Sequence, residues 1–199
     1  MIKNIVFDLG RVLLNWDPYS YMIKHFEKEV AEFLKKHVFE TEDWQMMDKG
    51  EITEEELWQD KLDKYPDYKD YILHMKNKVL DLLVPIEQNV SLIPLLKEKG
   101  YKLFVLSNFS KNTFQKVFEK YDFFKYFDGM VISSHVREIK PYEKIYQILI
   151  KKYKVKPGES LYIDDKIENI ETGKKLGFKT IHLEMPLKLE EKLKKYIEV

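Results

Sequence analysis

The chain has no cysteine in its 199 residues, which removes disulfides, thiolate nucleophiles and sulfur-ligated zinc together. Surplus charge is missing too: 34 Lys and Arg balance 34 Asp and Glu. No broad field therefore gathers nucleic acid or an anionic membrane. No apolar run approaches the roughly 20 residues that span a bilayer. The first apolar run starts at Ile2, which leaves no room for a secretion signal, so a soluble cytoplasmic protein is expected. Internal repeats and low-complexity linkers are absent. His25, His37, His74, His135 and His182 show no metal-ligand spacing and receive no role.

What remains is 44% hydrophobic and 14% aromatic, enough to bury a sizeable core in one domain with an inserted lobe. A strand at about Lys3 to Phe7 leads into a loop through Gly10, Asn15 and Asp17-Pro18. From about Tyr19 to Leu83 the pattern is charged and helical, with Phe26, Val30, Phe33 and Leu34 spaced on one face and a capping box at Thr53 and Glu56. After Pro85 a helix up to Gly100, a strand from Lys102, a helix from Asn112, a strand at Met130 to Ile132 and a helix from Tyr142 follow. A strand at Leu161 to Ile163, a helix from Ile167 and a strand at Lys179 to Ile181 continue the alternation. It predicts an α/β fold: a Rossmann-like parallel sheet with helices on both faces and an inserted helical cap. The expected division is 1–15 and 86–199 for the α/β core and 16–85 for the cap. The lysine-rich tail from Leu187 predicts an amphipathic helix with a solvated charged face.

Four short stretches carry the chemistry: IVFDLG ending at Gly10, VLSN ending at Asn108, Lys140-Pro141, and YIDDKIEN from Tyr162 to Asn169. Three are apolar runs that end in polar groups, as buried parallel strands do when they deliver reactive side chains to the carboxyl edge of a sheet. A carboxylate such as Asp8 at a buried strand end is costly unless paired or working, and carboxylates accept phosphoryl groups covalently. Asp164 and Asp165 stand side by side, where like charges repel unless a cation lies near; magnesium suits such hard oxygen ligands. Ser107 and Asn108 are short donors suited to phosphate oxygens at a strand-to-helix loop. Pro141 forces Lys140 toward an extended backbone.

The order and spacing of these motifs resemble the haloacid dehalogenase superfamily over almost the whole chain. The contexts SSHVREIKPYEKIYQ and IDDKIENIETGKKLG resemble its helical-cap phosphatase branch, and the first motif resembles that of sugar 1-phosphate phosphatases which also read D-L-G. The resemblance implies a Mg2+-dependent phosphatase that acts on a small phosphorylated metabolite, with a sugar phosphate favoured. It makes Asp8 the nucleophile and Lys140 the neutraliser of phosphoryl charge. Asp8, the Gly10 main-chain carbonyl, Asp164 and Asp165 become the metal ligands, Ser107 a phosphate ligand, and Asn108 a positioning group. Asn169 and Gly173 would shape the last loop. Arg11, Trp16, Asp43 and Trp44 are substrate-side candidates where a cap approaches the site, although Trp44 and Trp58 also suit the cap's own core. A 2-haloacid dehalogenase and a non-catalytic phosphate-ligand-binding regulator are the alternatives. Asp164-Asp165 argues against the dehalogenase.

The chain departs from the commoner D-x-D pattern at Gly10, where most such phosphatases carry the general acid. The expected consequence is a preference for esters with good leaving groups, sugar 1-phosphates over 6-phosphates. Another acid, such as Asp43 or Asp17, would flatten that preference.

Overall fold

The computed structural model describes residues 1–198. Five strands, β1 (Asn4–Phe7), β2 (Lys102–Ser107), β3 (Gly129–Ile132), β4 (Ser160–Asp164) and β5 (Lys179–His182), form one parallel sheet in the order β3-β2-β1-β4-β5. Phe7 pairs with Val105 on one side and with Ile163 on the other, so the three strand ends that carry motifs lie in register. The chain reverses its direction of winding at β1, which places a crevice beyond its carboxyl end.

Alternation sends successive side chains to opposite faces. Ile5, Phe7, Leu103, Val105, Leu161 and Ile163 belong to one buried cluster, while Val6, Phe104, Leu106 and Tyr162 belong to another. Helices Leu92–Glu98 and Lys111–Lys120 cover the first face, and Glu143–Tyr153 and Ile167–Lys175 the second. A sheet buried on both faces is what its β-branched, nearly uncharged strands require.

The tail differs from expectation. It forms only a short helix, Leu189–Leu193, and Leu189 and Leu193 are fully buried in the first cluster. Most of its lysines are solvated, although Lys192 Nζ donates to the His182 carbonyl, and Leu189 and Leu193 close the sheet while Leu187 stays exposed. No helix among the described residues is long and apolar enough to cross a membrane.

Between β1 and β2 the chain makes a helical insertion: Pro18–His25, Lys28–Leu34 continued by a π-helical turn, Glu42–Lys49, Glu54–Lys64 and Lys69–Leu82. The capping box is present, with Thr53 and Glu56 each accepting from the other's backbone N–H. Met22, Leu34, Val38, Trp58, Ile72 and Met75 make a third core of its own. The chain enters and leaves through a paired stem: Asn15 N–H donates to the Val84 carbonyl at 2.7 Å, and Ile86 N–H to the Leu13 carbonyl at 2.8 Å.

Candidate active site

The carboxyl ends of β1, β2 and β4 bring Asp8, Ser107, Asp164 and Asp165 together, and the loop after β3 adds Lys140. Lys140 is buried with its Nζ 2.9 Å from Asp8 Oδ1 and 2.6 Å from Asp164 Oδ2. One ligand oxygen from each of Asp8, Asp164 and Asp165 lies within 4.8 Å of the others. Facing these three acids are Lys140, Arg11, whose Nε lies 3.3 Å from Asp165 Oδ2, and Lys166, whose charge also favours ionised Asp165. Three carboxylates whose hard oxygens crowd within reach of one another are a donor set that fits a magnesium ion.

The acids are not equivalent. Asp164 is fully buried and its four acceptor positions are taken: Oδ2 by Lys140 and the Tyr162 hydroxyl, Oδ1 by Lys166 N–H and Asn169 Nδ2, both at 2.9 Å. Burial works against its ionisation, but Lys140 and these donors outweigh it and hold its carboxyl below the ordinary range. Asp8 keeps 11% of its side chain exposed, beside Asp165 at 13%, so it can be reached by an incoming group where Asp164 cannot. Burial pushes its carboxyl up and Asp164 adds to that, while Lys140 and the Ser107 hydroxyl oppose. Burial, then Asp8 and Asp164, push Asp165 up to about 6. Burial alone would lower Lys140; Asp164 and Asp8 reverse this and raise it, so it stays charged.

Asn108 grips the Lys140 backbone from both sides, accepting its N–H on Oδ1 at 2.8 Å and donating Nδ2 to its carbonyl at 3.0 Å. Asn169 holds the Asp164 loop, as the sequence suggested. Gly173 leaves room for Tyr162, whose Cδ1 would lie 2.7 Å from a Cβ built there. The Tyr162 role escaped sequence reading, although the period of two in Tyr-Ile-Asp puts Tyr162 and Asp164 on one face. Asp48 and Glu54 also went unnoticed. Both sit in a charged helical stretch where nothing separates them from solvated neighbours, yet Glu54 Oε1 accepts from the Ser110 hydroxyl at 2.6 Å and Thr113 N–H at 2.7 Å.

The substrate-side candidates are placed as follows. Arg11 bridges Asp165 and Asp17, the latter at 3.5 Å. Trp16 packs beside Gly10, 3.7 Å from where a Cβ would be, and stacks on Trp44 with ring centroids 6.1 Å apart. Trp44 also meets Phe39 and Trp58 within the insertion, and the Asp43 carboxylate is engaged by the buried Lys61. Any substrate contact by Asp43 or Trp44 would be made alongside these.

The chain is similar to known proteins along most of its length. The chain is 25% identical to a drimenol cyclase of Aspergillus calidoustus over 91% of its own length, spanning about a third (34%) of that protein. It is 26% identical to a D-ribitol-5-phosphate phosphatase of Bacteroides thetaiotaomicron, covering 92% of this chain and 93% of that one. Its fold matches a crystallised haloacid dehalogenase family enzyme of Bacteroides thetaiotaomicron in complex with magnesium and inorganic phosphate. The TM-score is 0.66 at 23% identity, over 91% of this chain and 93% of that one. The family model described as haloacid dehalogenase-like hydrolase matches residues 5–183, and the chain belongs to that family.

Proposed function

We propose that the chain is a magnesium-dependent phosphatase that hydrolyses a small phosphorylated metabolite, with a sugar phosphate the favoured class, through an aspartyl phosphate on Asp8. The observation that carries this is the buried Asp8–Lys140–Asp164 network beside the more open Asp165, at the carboxyl edge of the sheet. The resemblance to a ribitol phosphate phosphatase supports the substrate class.

Asp8 Oδ attacks the phosphorus in line, and Lys140 and the Ser107 hydroxyl neutralise and orient the phosphoryl oxygens. Asn108 keeps Lys140 in place through its backbone. A bound magnesium ion would supply electrostatic stabilisation of the phosphoryl charge, held by Asp8, the Gly10 carbonyl and Asp165. Asp164 stands in the same cluster, and its four filled acceptor positions suit it to holding Lys140 and the metal loop in place. Water then hydrolyses the aspartyl phosphate. The division into core (1–15 and 86–199) and cap (16–85) belongs to this reading, supported by the paired stem and the insertion's separate core.

The test is a screen of phosphate esters with magnesium and with chelator. Turnover should need magnesium and be inhibited by calcium, whose larger and looser shell spoils in-line geometry. Full turnover in chelator, or turnover of 2-haloacids instead, would overturn the reading.

A further inference from the structure

The position that normally carries the general acid is Gly10, and the two substitutes suggested by the sequence are committed elsewhere. Asp43 is engaged by Lys61. Asp17 caps helix Pro18–His25, accepting from Ser20 N–H at 3.0 Å and the Ser20 hydroxyl at 2.7 Å, and also faces Arg11.

A different carboxylate lies over the site. Asp48, in the last turn of helix Glu42–Lys49, is half-buried between insertion and core. Lys166 on the loop after β4 favours its charged form, as does the nearby Ser110 N–H on the loop after β2. It is near enough to Asp8, at the end of β1, for the two carboxylates to repel. The Asp48 backbone is held at the end of β3, and Ser110 and Lys166 follow β2 and β4, so Asp48 lies at the carboxyl edge of the sheet to which Asp8 belongs.

The backbone fixes it there. The Asp48 carbonyl accepts from the Ser133 hydroxyl, which in turn accepts Phe109 N–H at 2.8 Å. Two residues on, Gly50 turns the chain in the left-handed region at φ 76°, and a Cβ there would lie 2.8 Å from the Ser134 carbonyl oxygen. Only glycine allows that approach. Resting on the phosphatase reading, we propose that Asp48 is the general acid of this enzyme, donating from the insertion the proton that Gly10 cannot.

The electrostatics agree with the placement. Burial pushes the Asp48 carboxyl up, Lys166 opposes, Glu54 and Asp8 push it further, and Ser110 N–H opposes, with the result at about 7. An acid with that value still holds a proton near neutral pH, where general acid catalysis is most effective. In the first step the bond from Asp8 Oδ to phosphorus forms, the ester P–O bond breaks, and the Asp48 proton goes to the departing oxygen. In the second, Asp48 as carboxylate takes a proton from the attacking water, the phosphorus–Asp8 bond breaks, and Asp8 recovers its electron pair. One ester and one water enter; one alcohol and one hydrogen phosphate leave.

The experiment compares kcat/KM of wild type, Asp48→Asn, and Asp48→Asn combined with Gly10→Asp on an alkyl sugar 6-phosphate and on p-nitrophenyl phosphate, with magnesium. Circular dichroism checks the fold. Asp48→Asn should lose about 10² to 10⁴-fold on the 6-phosphate, and far less on the aryl ester, whose leaving group needs little help. Gly10→Asp, whose Cβ finds only ordinary contact with Trp16, should restore part of the alkyl activity. The wild-type rate on the 6-phosphate should fall above about pH 7, and that limb should vanish in Asp48→Asn. Equal losses on both esters, or no loss, would overturn Asp48 as the acid while leaving the phosphatase reading intact. No turnover of any ester by the wild type would overturn both.

Discussion

At the carboxyl edge of the sheet, Asp8, Lys140 and Asp164 are buried against one another, and each polar atom of Asp164 has its partner. Inside the insertion the proportions reverse. Aromatic and aliphatic side chains fill its core, and the buried charge among its described residues is Lys61, matched by Asp43. The two regions meet through polar contacts, Glu54 with Ser110 and Thr113, the Asp48 carbonyl with Ser133, and the Tyr121 hydroxyl with the Leu83 carbonyl at 2.9 Å, and through Trp16, Val79, Leu80 and Leu83, which pack into the core's first cluster. Preorganised charge at the edge costs stability and serves chemistry. An insertion with its own apolar core, held to the edge by hydrogen bonds and to the rest by a small apolar seam at its stem, can shift at the edge without being unfolded, and that suits a cap.

The sharpest way to test the edge is Asp8→Asn. The amide preserves shape but cannot form the covalent intermediate, so turnover should fall by at least about 10³-fold, with the fold intact by circular dichroism. A soluble variant that keeps a substantial fraction of wild-type activity would remove Asp8 from the nucleophile's role. Next in size is Lys140→Met, which leaves Asp8 and Asp164 facing each other without their cation. Breaking a buried pair from one side costs about 3–5 kcal/mol, to be read as a lower urea midpoint at unchanged slope. An equivalent loss from Lys61→Met would erase the contrast between edge and insertion; a smaller one is expected, because Asp43 is partly exposed and can return to water.

Magnesium should stabilise the edge and leave the insertion alone. At 100 times its dissociation constant the gain is about 2.7 kcal/mol, or roughly 5–10 °C in Tm for a chain of this size. Protons compete for Asp165, whose carboxyl is raised to about 6, so the affinity should rise with pH up to about 6 and level off above it. Thermal shifts measured across pH 5 to 8 check this. Asp165→Asn should weaken the magnesium effect more than Asp164→Asn does, whereas Asp164→Asn should cost more stability in the absence of metal. The opposite order would mean that the saturated acid, not the open one, is the direct ligand.

Much of the edge was legible beforehand because strands repeat every two residues and end in register. Asp8, Ser107 and Asp164 announce themselves as polar groups closing apolar runs, and Lys140 by its place before Pro141. The contacts across the joint left no such trace. Glu54 and Ser110 lie 56 positions apart, and a glutamate in the first turn of a capped helix reads the same whether it meets solvent or a serine. The contacts of the substrate-side candidates Asp43 and Trp44 with Lys61 and Trp16 were hidden for the same reason, since they depend on how helices pack. The tail's leucines were masked by the lysines around them.

The smallest predicted effect bears most directly on the joint. Glu54 belongs to the insertion, and its Oε1 takes both the Ser110 hydroxyl and Thr113 N–H at the start of helix Lys111–Lys120. Ser110 and Thr113 are buried but Glu54 itself is half-buried, so Glu54→Ala should let water reach the two donors and cost about 1 kcal/mol, the low end of an unmade hydrogen bond. A global unfolding experiment would barely register it. Hydrogen exchange should register it locally, with faster exchange at Thr113 and in residues 48–54 while β1 and β4 stay protected. If closure of the insertion helps to position substrate, KM should rise several-fold with kcat little changed, because Asp8 and Lys140 are untouched. Unchanged exchange at Thr113, or a kcat loss as large as that of Asp48→Asn, would show that the joint is not a separable latch and that insertion and edge work as one rigid body.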